Sequence, residues 1–196
     1  MNGFAEDAAP AYEPPPMTKA AFLAWLQRQQ GRYELKDGRV IMHPGSTRRH
    51  GRISLRFATA FAARLDPLEY SITSAEFAVE IGDDIRYPDV LVEYAAGEGT
   101  DLTTEAPLLL IEVLSPSSVG TDMKDKLSEY TAFESLQAYI VASQDAAIVY
   151  VWQRDPVTKT FPAIPLEIAG FDRSISLAAL NLEIPLAEIY RGIVAA

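Results

Sequence analysis

Apolar side chains divide this chain into helical and extended segments. Phe57, Phe61 and Leu65 recur every four residues, which predicts a helix with one core-facing stripe. Residues 107–114 are apolar at nearly every position, a pattern typical of a strand buried on both faces. Together with the other strand-like runs, these patterns predict an α/β fold in which helices flank a mixed β-sheet.

Turn signals predict two β-hairpins added to this sheet. One is centred on residues 37–38, an Asp-Gly pair that favours a two-residue turn. The other turns at residues 82–84 and joins a strand over 70–81 to a strand over 85–93. The second strand of that hairpin is expected to present Asp89.

The ends of the chain differ in character from its middle. Residues 1–16 are proline-rich with little hydrophobic periodicity, so they are predicted to form a flexible N-terminal arm. Residues 17–196 are expected to form a single domain with a sizeable core. Residues 154–196 end in an apolar tail, expected to cover a sheet edge or to form a dimer surface.

Charge and composition limit the classes of function. The formal net charge of −10 argues against a simple nucleic-acid binder. However, residues 32–64 hold eight of the 17 Lys and Arg residues. Within them, Arg49, Arg52 and Arg56 share one face of the predicted helix and could contact backbone phosphates. A solvated helix face is the alternative.

The chain has neither a signal-peptide pattern nor an apolar run long enough to span a bilayer, which predicts a cytoplasmic protein without membrane contact.

Any metal would need oxygen ligands. The chain has no cysteine and only two histidines, which favours Mg²⁺ or Mn²⁺ over zinc. Asp89 begins one predicted strand, and Glu112 lies inside the apolar run 107–114. An ionised carboxylate in a buried strand is costly unless a cation or hydrogen bonds compensate it. Two strand acids and a nearby lysine could hold a divalent metal and aim a water at a phosphodiester.

Three motifs, in order, carry a family resemblance. They are Pro88-Asp89, then Glu112 in an apolar strand ending Glu-Val-Leu-Ser-Pro-Ser, then Asp122-x3-Lys126-Leu127-x2-Tyr130. This pattern resembles the Uma-type family of restriction-endonuclease-like proteins, which belongs to the PD-(D/E)XK nuclease superfamily. The similarity extends from about Tyr33 to about Tyr150. It implies a restriction-endonuclease-like fold and a DNA endonuclease that requires Mg²⁺ or Mn²⁺.

The resemblance also implies roles for particular residues. Asp89 and Glu112 correspond to the catalytic acids that hold the metal, together with the backbone carbonyl of Val113. The superfamily places a lysine two residues after the second acid, but this chain has Leu114 there. The resemblance implies that Lys126, on the following helix, takes its place. The alternative for Lys126 is a solvated helix lysine.

Two supporting residues are implied by the same resemblance. Glu34 matches the start of the family pattern and could approach the metal as a third carboxylate. Its alternative is an exposed hairpin acid. His50 matches a family histidine and could assist contacts to phosphate or metal-bound water. Its alternative is a helix-surface histidine without a catalytic role.

Three functions remain open from the sequence. The first is a metal-dependent endonuclease with DNA as its partner, expected to form a homodimer because two sites would address two strands. The second is a catalytically inactive nucleic-acid-binding or interaction module, which Leu114 favours. The third is a carbohydrate hydrolase that uses Asp89 and Glu112 as an acid–base pair without metal. Metal-dependent cleavage and chelator sensitivity distinguish them.

Overall fold

A computed structural model describes residues 15–43, 45–97, 99–114 and 122–195, without the side chains of 122–125. Most of the predicted N-terminal arm therefore lies outside the described residues. The helices are α1 (Lys19–Leu26), α2 (Arg48–Ala62), α3 (Asp122–Tyr130) and α4 (Leu186–Tyr190), with a 3-10 turn at Ala178–Leu180. In this part of the chain, no helix is long and apolar enough to cross a membrane.

The larger sheet is mixed, as predicted, and has six strands. In spatial order they are β11 (Leu166–Ala169), β10 (Ile148–Gln153), β9 (Ala138–Ser143), β8 (Leu109–Leu114), β6 (Val90–Tyr94) and β3 (Tyr70–Ser74). β8 and β9 are parallel and α3 connects them, whereas the other neighbours are antiparallel. β8 therefore lies in the interior of the sheet, with a helix-containing crossover leaving its carboxyl end.

The second sheet is smaller and holds the first predicted hairpin. In spatial order its five strands are β2 (Arg39–His43), β1 (Arg32–Lys36), β5 (Asp84–Arg86), β4 (Ala78–Ile81) and β7 (Thr103–Thr104). β12 (Ser174–Leu177) and β13 (Leu182–Pro185) form a separate antiparallel pair. Asp37 and Gly38 join β1 to β2 with φ of 50° and 74°, the left-handed conformations that a two-residue turn of this kind requires.

The second predicted hairpin differs from the prediction because its two long strands are divided between the sheets. β4 and β5 pair in the smaller sheet, whereas β3 and β6 pair in the larger one. The chain crosses between sheets at residues 75–77 and 87–89. Ala75 N–H donates to the carbonyl of Asp89 at 3.2 Å, and Pro88 has no N–H with which to extend the ladder. Asp89 therefore stands at the crossing rather than inside a strand.

The two faces of the larger sheet pack against different helices. On one face, α2 contributes Phe57 and Phe61 to a core that includes Ile111 and Val113 of β8. On the other face, Leu110 and Leu114 of β8 pack with Tyr130 of α3. Every residue of β8 is buried, which confirms the prediction of a strand buried on both faces. Because side chains alternate along a strand, Glu112 points to the α3 side.

The C-terminal segment is part of the main core, and the prediction that its apolar tail forms a dimer surface stays a prediction. Ile184, Ile189 and Tyr190 are fully buried in the same cluster as α2, and Ile193 lies with them. These apolar side chains are needed inside because α2 would otherwise expose part of its core-facing stripe. The alternative expectation, cover of a sheet edge, agrees with the position of β11 at one edge of the larger sheet.

This placement predicts a large stability effect from the end of the chain. Ile184→Ala should lower the free energy of unfolding by about 2–5 kcal/mol, because it leaves a cavity in a packed core. Leu68→Ala is the control, since Leu68 is 89% exposed and its loss should change stability by less than about 0.5 kcal/mol. Urea denaturation followed by tryptophan fluorescence measures both. A similarly small change for both variants would contradict the core position of Ile184.

Candidate active site

A cavity of about 300 Å³ opens where the carboxyl end of β8 meets α2 and α3. Every residue that the sequence predicted for catalysis, metal binding or support contributes to its lining. These residues are Glu34, His50, Asp89, Glu112, Val113 and Lys126. The fold thus brings side chains from β1, α2, β8, α3 and the crossing before β6 to one place.

Glu112 and Lys126 form a buried ion pair at the centre of this cavity. Lys126 Nζ lies 2.8 Å from Glu112 Oε1, and the hydroxyl of Tyr130 donates to the same oxygen at 2.9 Å. Both charged residues are buried, so the alternative of a solvated lysine is wrong. Lys126 and Tyr130 are four residues apart on α3 and share the helix face that lies against β8.

The local charges affect the ionisation of Glu112. Burial raises the pKa of the Glu112 carboxyl, and the nearby Asp89 and Glu34 raise it further. The ammonium of Lys126 opposes these effects because it stabilises the ionised carboxylate. A second cation bound at this place would favour the ionised form in the same way.

Asp89 is oriented by a backbone group and by a histidine. Its Oδ2 accepts a hydrogen bond from the N–H of Val113 at 2.8 Å and lies 3.0 Å from His50 Nε2. The side chain of Thr47 caps α2 by accepting from the N–H of His50 at 3.2 Å. Thr47 also donates to Gln144 at 2.7 Å, which anchors the start of α2 near the end of β9. His50 therefore faces the cavity and not open solvent.

Glu34 is buried beside this cluster and is held by other partners. It accepts hydrogen bonds from Arg86 Nη1 and from the N–H of Tyr87, each at 3.0 Å, and lies 3.1 Å from His43 Nε2. Burial alone would raise the pKa of Glu34, but His43, the charge of Lys126 and the Tyr87 N–H together lower it to about 2. The alternative of an exposed hairpin acid is therefore wrong.

Arg86 joins the smaller sheet to α3 and was missed by the sequence analysis. Its guanidinium bridges Glu34 and Glu129, donating to the Glu129 carboxylate at 2.8 and 2.9 Å. The sequence signal for this contact lies on α3. Glu129 follows Lys126 by three residues and therefore lies on the same face of the helix. The two ion pairs together fix the position of α3 against both sheets.

The donor groups around Asp89 fit a magnesium-type ion. In the described part of the chain, hydrogen bonds occupy Oδ2 of Asp89 and Oε1 of Glu112, which leaves the second oxygen of each for another ligand. The N–H of Val113 points towards Asp89, and its carbonyl points to the same side because both groups of a strand residue do so. Mg²⁺ commonly takes one or two carboxylates and completes its shell with water.

The role of Glu34 as a third carboxylate at a metal stays a prediction. Among the described residues, no three His, Asp or Glu side chains are arranged to hold one metal ion. Arg86 and the N–H of Tyr87 each donate to one oxygen of Glu34, and His43 Nε2 lies 3.1 Å away.

The predicted arginine face of α2 lies outside the cavity and is not uniform. Arg49 pairs with Asp145 at 3.0 Å, and Arg52 is exposed. Arg56 donates to the backbone carbonyl of Glu188 at 2.7 Å, so part of its side chain is engaged with α4. The contact of these arginines with phosphates stays a prediction.

The fold matches that of a solved structure. The structure superimposes on a crystal structure described as "a putative nuclease belonging to DUF820 from Anabaena variabilis ATCC 29413" with a TM-score of 0.71. The match covers 89% of this chain and 98% of that chain at 17% sequence identity. The chain therefore has a restriction-endonuclease-like α/β fold.

The family follows from the sequence. A family model described as "Uma2: Putative restriction endonuclease" matches residues 20–187, and this chain belongs to that family. Two uncharacterized Synechocystis proteins are similar to it: slr1290 is 27% identical over 91% of this chain and 94% of its own length. The second, sll1609, is 26% identical over 65% of this chain and 75% of its own length.

The Glu34 cluster predicts a pH-dependent loss of stability in Glu34→Gln. The pKa of Glu34 is lowered from 4.5 to about 2 on folding, so its ionisation stabilises the fold above pH 4.5 by about 3 kcal/mol. That contribution is lost as the pH falls from about 4.5 to about 2. Urea denaturation at several pH values should show wild type and variant differing at neutral pH and converging in acid. A difference that is constant over this range would contradict the assignment.

Proposed function

We propose that this protein is a Mg²⁺- or Mn²⁺-dependent DNA endonuclease that hydrolyses phosphodiester bonds in the cavity at the end of β8. The observation that supports this most directly is the common lining by Asp89, Glu112 and Lys126, with the lysine amine 2.8 Å from the Glu112 carboxylate. Membership of a family described as restriction endonucleases agrees with this function.

The cavity residues have complementary tasks in such a reaction. Asp89, Glu112 and the carbonyl of Val113 would hold a metal, which supplies charge to the scissile phosphate and lowers the pKa of a bound water. Lys126 directs an ammonium group into the cavity, where it can orient the attacking water or stabilise developing negative charge. His50 and Tyr130 hold the two carboxylates in position through Asp89 Oδ2 and Glu112 Oε1.

An inactive nucleic-acid-binding module is the second candidate, and Leu114 is the observation that favours it. Leu114 occupies the motif position of the superfamily lysine and packs with the α3-side core. The contact between Lys126 and Glu112 supports the active alternative, because the cation approaches the same carboxylate from the helix. Cleavage assays on the intact protein distinguish the two.

The proposed nuclease makes a prediction about metal and charge. Wild type should cleave plasmid or single-stranded DNA with Mg²⁺ or Mn²⁺ and stop when a chelator is added. Lys126→Met should lower the rate by about 10²–10³, because a positioned charge at the transition state is lost. Glu112→Gln should abolish Mn²⁺ binding in titration calorimetry, whereas Lys126→Met should retain it. Thermal unfolding shows whether both variants are folded.

Lys124→Ala provides the matched control for this experiment. Lys124 lies two residues before Lys126 in the sequence, and the mechanism gives it no role. Its removal should leave the cleavage rate unchanged. Cleavage by Lys126→Met at the wild-type rate would contradict the mechanism, and a reaction that a chelator leaves unchanged would contradict the metal requirement.

DNA is the partner in this proposal, and exposed cations near the start of α2 support it. Arg49 and Arg52 lie one turn apart at the end of α2 that carries His50, where they could contact phosphates of a strand that enters the cavity. Arg56 is farther along the helix and is engaged by Glu188. We assign Arg56 an indirect contribution to DNA binding through its positive charge.

Edge strand β2 is a further surface through which the proposed homodimer could form. Val40, Ile41 and Met42 are exposed in succession, Met42 by 63%, and β2 has one free edge among the described strands. Met42→Lys should convert a dimer to a monomer, because edge lysines oppose strand pairing. Light scattering measures this. A wild-type monomer at all accessible concentrations would contradict the dimer, and a dimeric Met42→Lys would contradict this surface.

A further inference from the structure

One cation in the cavity lining has no role in the mechanism above. Arg32 begins β1 and lines the cavity, yet no described residue forms a hydrogen bond or ion pair with its guanidinium. Its Nε is buried and has no hydrogen-bond partner among the described residues. A buried N–H without a hydrogen-bond partner is unfavourable, so Arg32 is placed to gain from an anionic ligand. Arg86, also at the edge of this site, is fully engaged by two carboxylates.

A groove of about 210 Å³ continues from Arg32 away from the catalytic acids. Arg32 and Tyr87 line both the groove and the cavity, so the two spaces adjoin. The groove is otherwise largely apolar, with contributions from α1, β1 and the crossing between the sheets. These residues include Leu23, Leu26, Tyr33, Ala75 and Leu102. A ligand that fits has an anion at one end and a flat or apolar group at the other.

The ring of Tyr33 is held as a fixed wall of this groove. Trp25 packs against it edge-on with ring centroids 4.9 Å apart. Gly31 has a φ of 128°, and a Cβ there would lie 3.3 Å from the Tyr33 ring. Because Gly31 has no Cβ, the Tyr33 ring can lie close to the backbone of Gly31. A fixed aromatic face is a suitable platform for stacking a nucleobase.

We propose that Arg32 and this groove bind the nucleotide next to the cleaved bond, with its phosphate at Arg32 and its unstacked base beside Tyr33. The proposal rests on the proposed nuclease function and adds a substrate class, single-stranded DNA, because a base inside a duplex could not enter the groove. Glu76 also lines the groove and is solvent-exposed. Its charge opposes a phosphate and favours placing the anion at the Arg32 end.

Binding of fluorescein-labelled oligothymidylate in the presence of a chelator tests the phosphate contact without cleavage. Arg32→Ala should weaken binding about 10-fold to 100-fold, since a charge-assisted hydrogen bond is lost. It should also reduce the slope of log affinity against log salt by about 0.7, the value for one single-strand phosphate. Arg28→Ala is the matched control, because Arg28 is exposed and lines neither space; its salt slope should be nearly unchanged.

The base contact is tested by comparing oligothymidylate with an abasic strand of the same length. Wild type should bind the abasic strand about tenfold more weakly, because base stacking on an aromatic side chain is lost. Tyr33→Ala should reduce that ratio, whereas Tyr94→Ala should not, since Tyr94 is an exposed tyrosine outside both spaces. Circular dichroism establishes that both variants are folded.

A charge added at the groove gives a variant with little risk to the fold. Gln27 is exposed and lines the groove, so Gln27→Glu should weaken oligothymidylate binding several-fold by repelling the strand. Gln30→Glu adds the same charge at an exposed residue outside the groove and should have the smaller effect. Equal effects of the two substitutions, or an unchanged affinity of Arg32→Ala, would overturn the subsite.

The subsite and the nuclease function fail in different ways. If wild type cleaves DNA with Mg²⁺ but Arg32→Ala binds oligothymidylate like wild type, the subsite is wrong and the nuclease function stands. If wild type neither cleaves DNA nor binds the oligonucleotide, both are wrong. A preference of wild type for duplex over single-stranded DNA that Arg32→Ala leaves unchanged would also overturn the subsite.

Discussion

The buried carboxylate of Glu112 constrains the whole arrangement around β8. This strand is covered on both faces, so an ionised side chain within it is unfavourable unless cations and hydrogen-bond donors compensate it. Lys126 and Tyr130 supply that compensation from α3. The helix that connects β8 to β9 must therefore lie with one face against Glu112. A requirement of charge burial thus fixes a feature of the topology.

The same requirement extends outward through a second ion-pair cluster. Arg86 connects α3 to the smaller sheet because it binds Glu129 and Glu34 together. Removing one partner of a buried pair leaves an uncompensated charge and is strongly destabilising. The smaller sheet is therefore more than an added hairpin. It supports the back of α3, and it also brings Arg32 to the edge of the cavity.

Local patterns predicted local elements well, but they did not predict pairing between distant segments. Strand β8, helix α2 and the 37–38 turn follow from hydrophobic periodicity and turn chemistry within a few residues. The division of segment 70–93 between two sheets depends on which distant strand each part meets, and no local signal carries that information. Arg32 and Arg86 were also inconspicuous, because the sequence shows that an arginine is present but not whether it has a partner.

The position of Leu114 bears on the role that the family resemblance implies for Lys126. Residues 112 and 114 alternate to the same face of β8, the face against α3. A lysine at position 114 would therefore project to the side from which Lys126 reaches Glu112. Leu114 instead packs with Tyr130 in the core on that face, and the helix opposite carries the amine. Lys126 thus brings a cation from α3 to the side of Glu112 that a lysine at position 114 would face, so geometry around Glu112, rather than spacing from it, is the feature by which to recognise such a lysine.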